Sequence, residues 1–163
     1  MKINSEQKKT LEKIANQLKR RKERIAVAES VTSGFLQLAL SQMQDASDCF
    51  AGGMTTYTID TKVRILNVDA RLAKVCNCVS AEITEQMAIE VANLFKTDWS
   101  IATAGYATPV PESMDKRFAF LAIVHNGQVV FNERIDVNNE DEPENIQHYY
   151  CSQAMEALQQ MLS

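Results

Sequence analysis

The sequence predicts an α/β fold, a three-layer α/β/α sandwich around a mixed sheet. Two observations carry that expectation. Helix-period segments alternate with short apolar runs as far as Ala104, the pattern of strands joined by helical crossovers. A hairpin centred on Asn126-Gly127 and a long amphipathic segment then complete the chain, adding antiparallel strands and a last helix. With 163 residues and neither a linker nor an internal repeat, residues 1–163 are expected to form a single domain.

Ile3, Leu11, Ile14 and Leu18 recur at helical spacing, with Asn4 or Ser5 as cap, and predict a first helix over about residues 5–21. The run Lys19-Arg20-Arg21-Lys22-Glu23-Arg24 is expected to be its solvated end, where basic charge suits the helix dipole. Ile25-Ala26-Val27-Ala28 is a short apolar strand. It leads through Glu29-Ser30-Val31-Thr32-Ser33-Gly34 into a helical pattern of Phe35, Leu38, Ala39 and Met43. Gly52-Gly53 precedes a second strand over about residues 53–58, and Asp60 or Thr61 starts a short helix toward Leu66. Ser80 caps a longer helix containing Ile83, Met87, Val91 and Leu94, with Glu82 and Glu85 near its positive end. Trp99 through Ala104 is a buried strand, and Phe118–Val124 and Val129–Ile135 flank the Asn126-Gly127 turn, whose residues accept positive φ. Asp141 and Glu144 have capping-box spacing at the start of a last helix through Ile146, Tyr150, Ala154, Leu158 and Met161.

Seventeen Lys and Arg against 21 Asp and Glu give a net charge of −4, which argues against a broad nucleic-acid surface but leaves room for a local basic pocket. The N-terminus turns polar at once, so neither a secretory signal nor a membrane span is expected, and the cytoplasm is the default location. Cys49, Cys76, Cys78 and Cys151 form no regular framework and read as reduced, structural thiols. His125 and His148 form no paired metal motif and read as isolated polar residues, so no metal site is expected.

Chemistry concentrates at three positions. Ser30 stands between a strand and an incipient helix, where its hydroxyl can be a nucleophile, a helix cap or part of an anion-binding turn; Thr32 and Ser33 share the last two options. Lys62 can serve as a base only when neutral, and a helix N-terminus near Asp60 favours that form while the Asp60 carboxylate opposes it. Tyr57 can relay a proton or orient the serine. Gly52-Gly53 and Gly105 fit ordinary turns or close ligand approach.

Together these segments resemble the C-terminal domain family of competence/damage-inducible protein A, whose active members include nicotinamide mononucleotide deamidases. The resemblance runs through Ala28-Glu29-Ser30-Val31-Thr32-Ser33-Gly34, Thr56-Tyr57-Thr58-Ile59-Asp60-Thr61-Lys62, Val79-Ser80 and Gly105-Tyr106-Ala107-Thr108-Pro109, in family order across nearly the whole chain. It implies an amidohydrolase domain that self-associates, as a dimer, and converts the carboxamide of a nicotinamide nucleotide to the acid and ammonia. It makes Ser30 the nucleophile, Lys62 its base and Tyr57 the relay or orienting residue, with Thr32, Ser33, Gly34 and Gly105 on the substrate and no metal or organic cofactor. The chain departs from the family at Ala104, where a hydroxyl is common, at Thr108 and Val110, where glycine is common, and at the acidic Glu140-Asp141-Glu142, where the family has a phosphate-binding arginine. These departures predict weaker binding of a phosphorylated substrate. They leave open another carboxamide, or a binding or regulatory role with weak catalysis.

Overall fold

The computed structural model describes residues 3–163. In chain order the elements are α1 (Ser5–Arg21), β1 (Ile25–Glu29), α2 (Phe35–Ser41), α3 (Ala46–Cys49), β2 (Phe50–Thr55), α4 (Ile59–Leu66), α5 (Ala70–Val75), α6 (Ala81–Phe95), β3 (Trp99–Tyr106), a 3-10 turn (Pro111–Ser113), β4 (Arg117–His125), β5 (Gln128–Val137) and α7 (Pro143–Leu162). The strands form one mixed sheet in the order β2-β1-β3-β4-β5. β1 pairs parallel with β2 and β3, while β4 and β5 are antiparallel to their neighbours.

Strand alternation divides the core into two layers. Ile25, Val27, Ile101, Leu121 and Ile123 point to one face and pack against α1, α2 and α7. Ala26, Ala28, Ala102, Ala104 and Ala122 point to the other, where their small side chains let α6 come close with Ile83, Met87 and Val91. The same parity governs the end of β1. Glu29 belongs to the α2 face with Val27, and Ser30, whose N–H continues the ladder to the Thr103 carbonyl at 3.0 Å, belongs to the α4 and α6 face with Ala28.

Several local expectations shift. Asn4 caps α1 through a reciprocal box with Gln7, and Lys22 ends it at φ 57°. β2 begins at Phe50 rather than near Gly53, because it pairs from Ile25 onward and Gly52 absorbs an irregularity at φ 124°. It stops at Thr55, where the Thr56 N–H makes the last ladder bond to the Glu29 carbonyl and Thr58 already caps α4. The helices α3 and α5 are one to two turns long, too short to show a period in the sequence. α7 starts at Pro143 with Glu142 as its cap position, and no side chain caps it, so the Asp141–Glu144 box does not form. The charged run after α1 is only partly solvated. Glu23 accepts from the Trp99 indole at 2.6 Å and contacts His125 Nε2 at 3.1 Å, and His125 stacks on Trp99, so His125 is a packed residue rather than an isolated one.

Candidate active site

The C-terminal ends of the three parallel strands meet at a cleft of about 530 Å³ lined by Ser30, Tyr57, Lys62 and Gly105, among others. That is the crevice where open α/β sheets hold small ligands, and its size suits one.

Thr58 and Thr61 cap α4 reciprocally, and this places Lys62 on the helix face turned to the sheet. Its side chain is 2% exposed. The Lys62 ammonium donates to Ser30 Oγ at 3.0 Å and to the Tyr57 carbonyl at 3.2 Å. Among the described residues no carboxylate pairs with it. Burial holds the Lys62 pKa below the usual lysine range, and the nearby Cys78 opposes that shift. Desolvation by burial is the larger cause, and the Asp60 carboxylate expected to oppose it is not among the groups that act on Lys62. Asp60 instead faces outward with Arg64, at 3.7 Å.

Ser30 does not cap α2. The residue that satisfies the start of that helix is Glu29, which is fully buried. Its Oε2 accepts from Thr32 Oγ1 at 2.6 Å, Gly34 N at 3.0 Å and Leu36 N at 3.1 Å, and its Oε1 accepts from Gln37 N at 2.8 Å. Four donors on one carboxylate lock the turn that presents Ser30. The turn requires Ser33 at φ 48° and Gly34 at φ 99°, and at the latter glycine is favoured because any Cβ is strained. Sequence reasoning missed Glu29. The available signal was a lone acidic residue directly after the apolar run Ile25–Ala28, at the start of the turn that leads into the next helical pattern.

This arrangement reassigns three expected substrate contacts. Thr32 is buried, with its hydroxyl committed to Glu29 and to Thr103 Oγ1 at 2.8 Å. The Gly34 N–H is committed to Glu29, and the Ser33 hydroxyl donates to the Ser30 carbonyl at 3.2 Å. None of the three lines the cleft. Among the described hydrogen bonds of the turn, the Val31 and Thr32 N–H groups are left without a protein acceptor.

Gly105 does line the cleft, but its missing side chain serves the sheet. A Cβ there would lie 2.3 Å from the Phe118 carbonyl oxygen and 2.5 Å from Ala119 Cα. Gly105→Ala is therefore expected to cost about 1–3 kcal/mol by forcing β3 and β4 apart. Urea denaturation of the two proteins checks it, and unchanged stability would remove the steric reading.

Tyr57 also sits at the cleft, brought there by the end of β2, yet its side chain is 68% exposed. It meets Lys62 through its backbone carbonyl, and its phenol has no hydrogen bond to Ser30 or Lys62. The structure thus brings Ser30 and Lys62 together and leaves the Tyr57 ring at the mouth. Of the departures seen in the sequence, Thr108 and Val110 line the cleft, whereas Ala104 is buried in the α6-side core. Gln147 Nε2 on α7 donates to the Val31 carbonyl at 2.8 Å and braces the far wall.

The model of the CinA C-terminal domain matches residues 7–162. The chain belongs to the CinA C-terminal domain family. A CinA-like protein of Prochlorococcus marinus is 36% identical over 121 residues, covering 74% of this chain and 28% of that protein. A putative competence-damage inducible protein of Listeria monocytogenes is 41% identical over 85 residues, 52% of this chain and 20% of that protein. The chain thus spans about a quarter of the length of these curated relatives. The crystal structure of a competence-damaged protein (CinA) superfamily protein from Klebsiella pneumoniae superposes with a TM-score of 0.89 at 26% identity, over 96% of this chain and 97% of that one. Family members therefore share the mixed sheet with helices on both sides. No described helix is long and apolar enough to cross a membrane.

Proposed function

We propose that the chain is a serine amidohydrolase acting on the carboxamide of a nicotinamide nucleotide or a related compound, releasing the acid and ammonia. The observation that carries this reading is a buried lysine 3.0 Å from a serine hydroxyl at the end of a parallel strand, with no carboxylate paired to the lysine among the described residues. A lysine held this way loses charge readily, and a neutral amine can take the serine proton. Ser30 Oγ then bonds to the amide carbon as its proton passes to Lys62 Nζ. The Val31 N–H, on the cleft lining and without a protein acceptor among the described hydrogen bonds, is the donor available to the oxyanion. Collapse of the adduct breaks the C–N bond, Lys62 returns the proton to the departing nitrogen, and ammonia leaves. Water attacks the acyl-Ser30 ester by the same proton route, giving the acid and restoring Ser30.

Assay of ammonia together with the acid product, from nicotinamide mononucleotide and from its dephosphorylated counterpart, tests the reading. Release of neither product from either compound would defeat it.

A pH dependence follows from the direction of the Lys62 shift. Protonated Lys62 is the inactive form, so turnover is expected to rise with pH through its lowered pKa and then level off. The linkage to stability has the same sign. The unfolded chain binds the Lys62 proton more tightly than the folded one, so folding gains stability as pH rises from the folded pKa toward the ordinary lysine value of about 10.4. Lys62→Met should flatten that part of the stability profile; an identical profile in both proteins would contradict the burial of a titrating Lys62.

A further inference from the structure

The first turns of α7 reach the turn that presents Ser30. Gln147 lines the cleft, and its Nε2 donates at 2.8 Å to the carbonyl of Val31, 116 positions away in the sequence. A carbonyl oxygen can only accept, so the amide nitrogen of Gln147 must face it. Ile146 and Tyr150 of the same helix pack with the buried Val31 side chain. α7 therefore grips Val31 twice, by its side chain and by its carbonyl. The Ser30 carbonyl is held in another way. It accepts from the Ser33 N–H and from the Ser33 hydroxyl, each at 3.2 Å, and both bonds lie inside the turn and move with it.

These two carbonyls belong to the peptide groups on either side of the Val31 α-carbon. The first group also carries the Val31 N–H, which has no protein acceptor among the described hydrogen bonds and belongs to a residue of the cleft lining. Planar peptides leave only the two backbone torsions of Val31 between the groups, so anchoring the carbonyl on one side limits where the N–H on the other can point. We infer that Gln147 is a positioning residue for the oxyanion: by holding the Val31 carbonyl from α7, it aims the Val31 N–H at the oxygen that becomes charged when Ser30 attacks. A donor aimed in advance needs no reorganisation as that charge develops, so its placement is read in kcat rather than in substrate affinity. Released from Gln147, the Val31 carbonyl could turn its own negative end toward the wall where the charge forms. This rests on the amide-hydrolysis reading of Ser30 and Lys62 and deepens it with a residue that, among the described hydrogen bonds, contacts neither of them.

The test compares the parent with Gln147→Met and Gln147→Ala, which lack the donor, and with Gln147→Lys, which restores one. Each is assayed for ammonia release from nicotinamide mononucleotide and its dephosphorylated counterpart, and by calorimetry for binding of 3-pyridylboronic acid. The boronic acid bonds to a serine oxygen as a tetrahedral adduct and sets a boron-bound oxygen where the oxyanion would lie. Gln147→Met is expected to lower kcat and boronate affinity together, about tenfold each, with KM changed less than about twofold and the melting temperature within a few degrees of the parent. Gln147→Lys should recover much of both. Tyr150→Phe removes a different α7 bond, from the phenol to the Tyr106 carbonyl at 3.1 Å, and should leave the boronate affinity unchanged. With a parent that releases ammonia, unaltered kcat and boronate affinity in the donorless variants would overturn the positioning role and leave the amidohydrolase standing. A rise in KM at constant kcat would do the same by making Gln147 a substrate contact, as would an equal loss in Tyr150→Phe by making α7 a general brace. A parent that neither releases ammonia nor binds the boronate would overturn both.

Discussion

Ser30→Ala is expected to lower ammonia release by about a thousandfold or more while leaving the protein folded, because it removes the atom that forms the acyl bond. The geometry separates this outcome from a capping role. The start of α2 is satisfied by Glu29, and the Ser30 hydroxyl faces Lys62 on the opposite side of the sheet. The alanine variant should therefore melt within a few degrees of the parent. Lys62→Met should bring a comparable loss of kcat with little change in ligand affinity. The double variant should be hardly worse than either single one, since a nucleophile without its base and a base without its nucleophile fail at the same step. Equal turnover of the parent and Ser30→Ala proteins at matched folded fraction would end the covalent mechanism. Losses that simply multiply in the double variant would show that the two residues act independently.

Glu29→Ala is expected to be the most damaging change to stability in this region, at about 3–5 kcal/mol, or a fall in Tm of roughly 10 °C. It would strip acceptors from three backbone N–H groups and the Thr32 hydroxyl at once, in a place where Glu29 is fully buried. Glu29→Gln keeps the volume but turns an amide NH2 toward donors that need an acceptor, so its loss should be intermediate. Denaturant midpoints with m-values check both. A cost below about 1 kcal/mol for Glu29→Ala would mean that water replaces the carboxylate and that the turn holds without it. Both variants should also turn over more slowly at matched folded fraction, because the same four bonds set where Ser30 points.

Much of this arrangement was legible before any coordinates. The Asn126-Gly127 turn takes positive φ at both residues, 50° and 78°, as its composition demands. Ser80 caps α6 through the Ile83 N–H at 3.1 Å, which is a contact between residues three apart. Such features depend on neighbours in the chain, so local composition reveals them. The start of β2 was not legible, because its register is decided by pairing with Ile25 from a distant segment. The contacts among Glu23, Trp99 and His125 escaped for the same reason.

By itself the sequence determined the family and the alternation of elements, and it supplied Ser30 and Lys62 as the residues able to carry chemistry. The tertiary structure alone decided how their polar neighbours are used. It spends the Thr32 hydroxyl and the Gly34 N–H on Glu29 and turns the Tyr57 ring to the cleft mouth, while it buries Lys62 against Ser30, 32 positions away in the sequence. Residue type states what a donor or acceptor can do. Which partner it meets, and whether its charge survives burial, depends on groups brought together by the packing of strands and helices far apart in the chain.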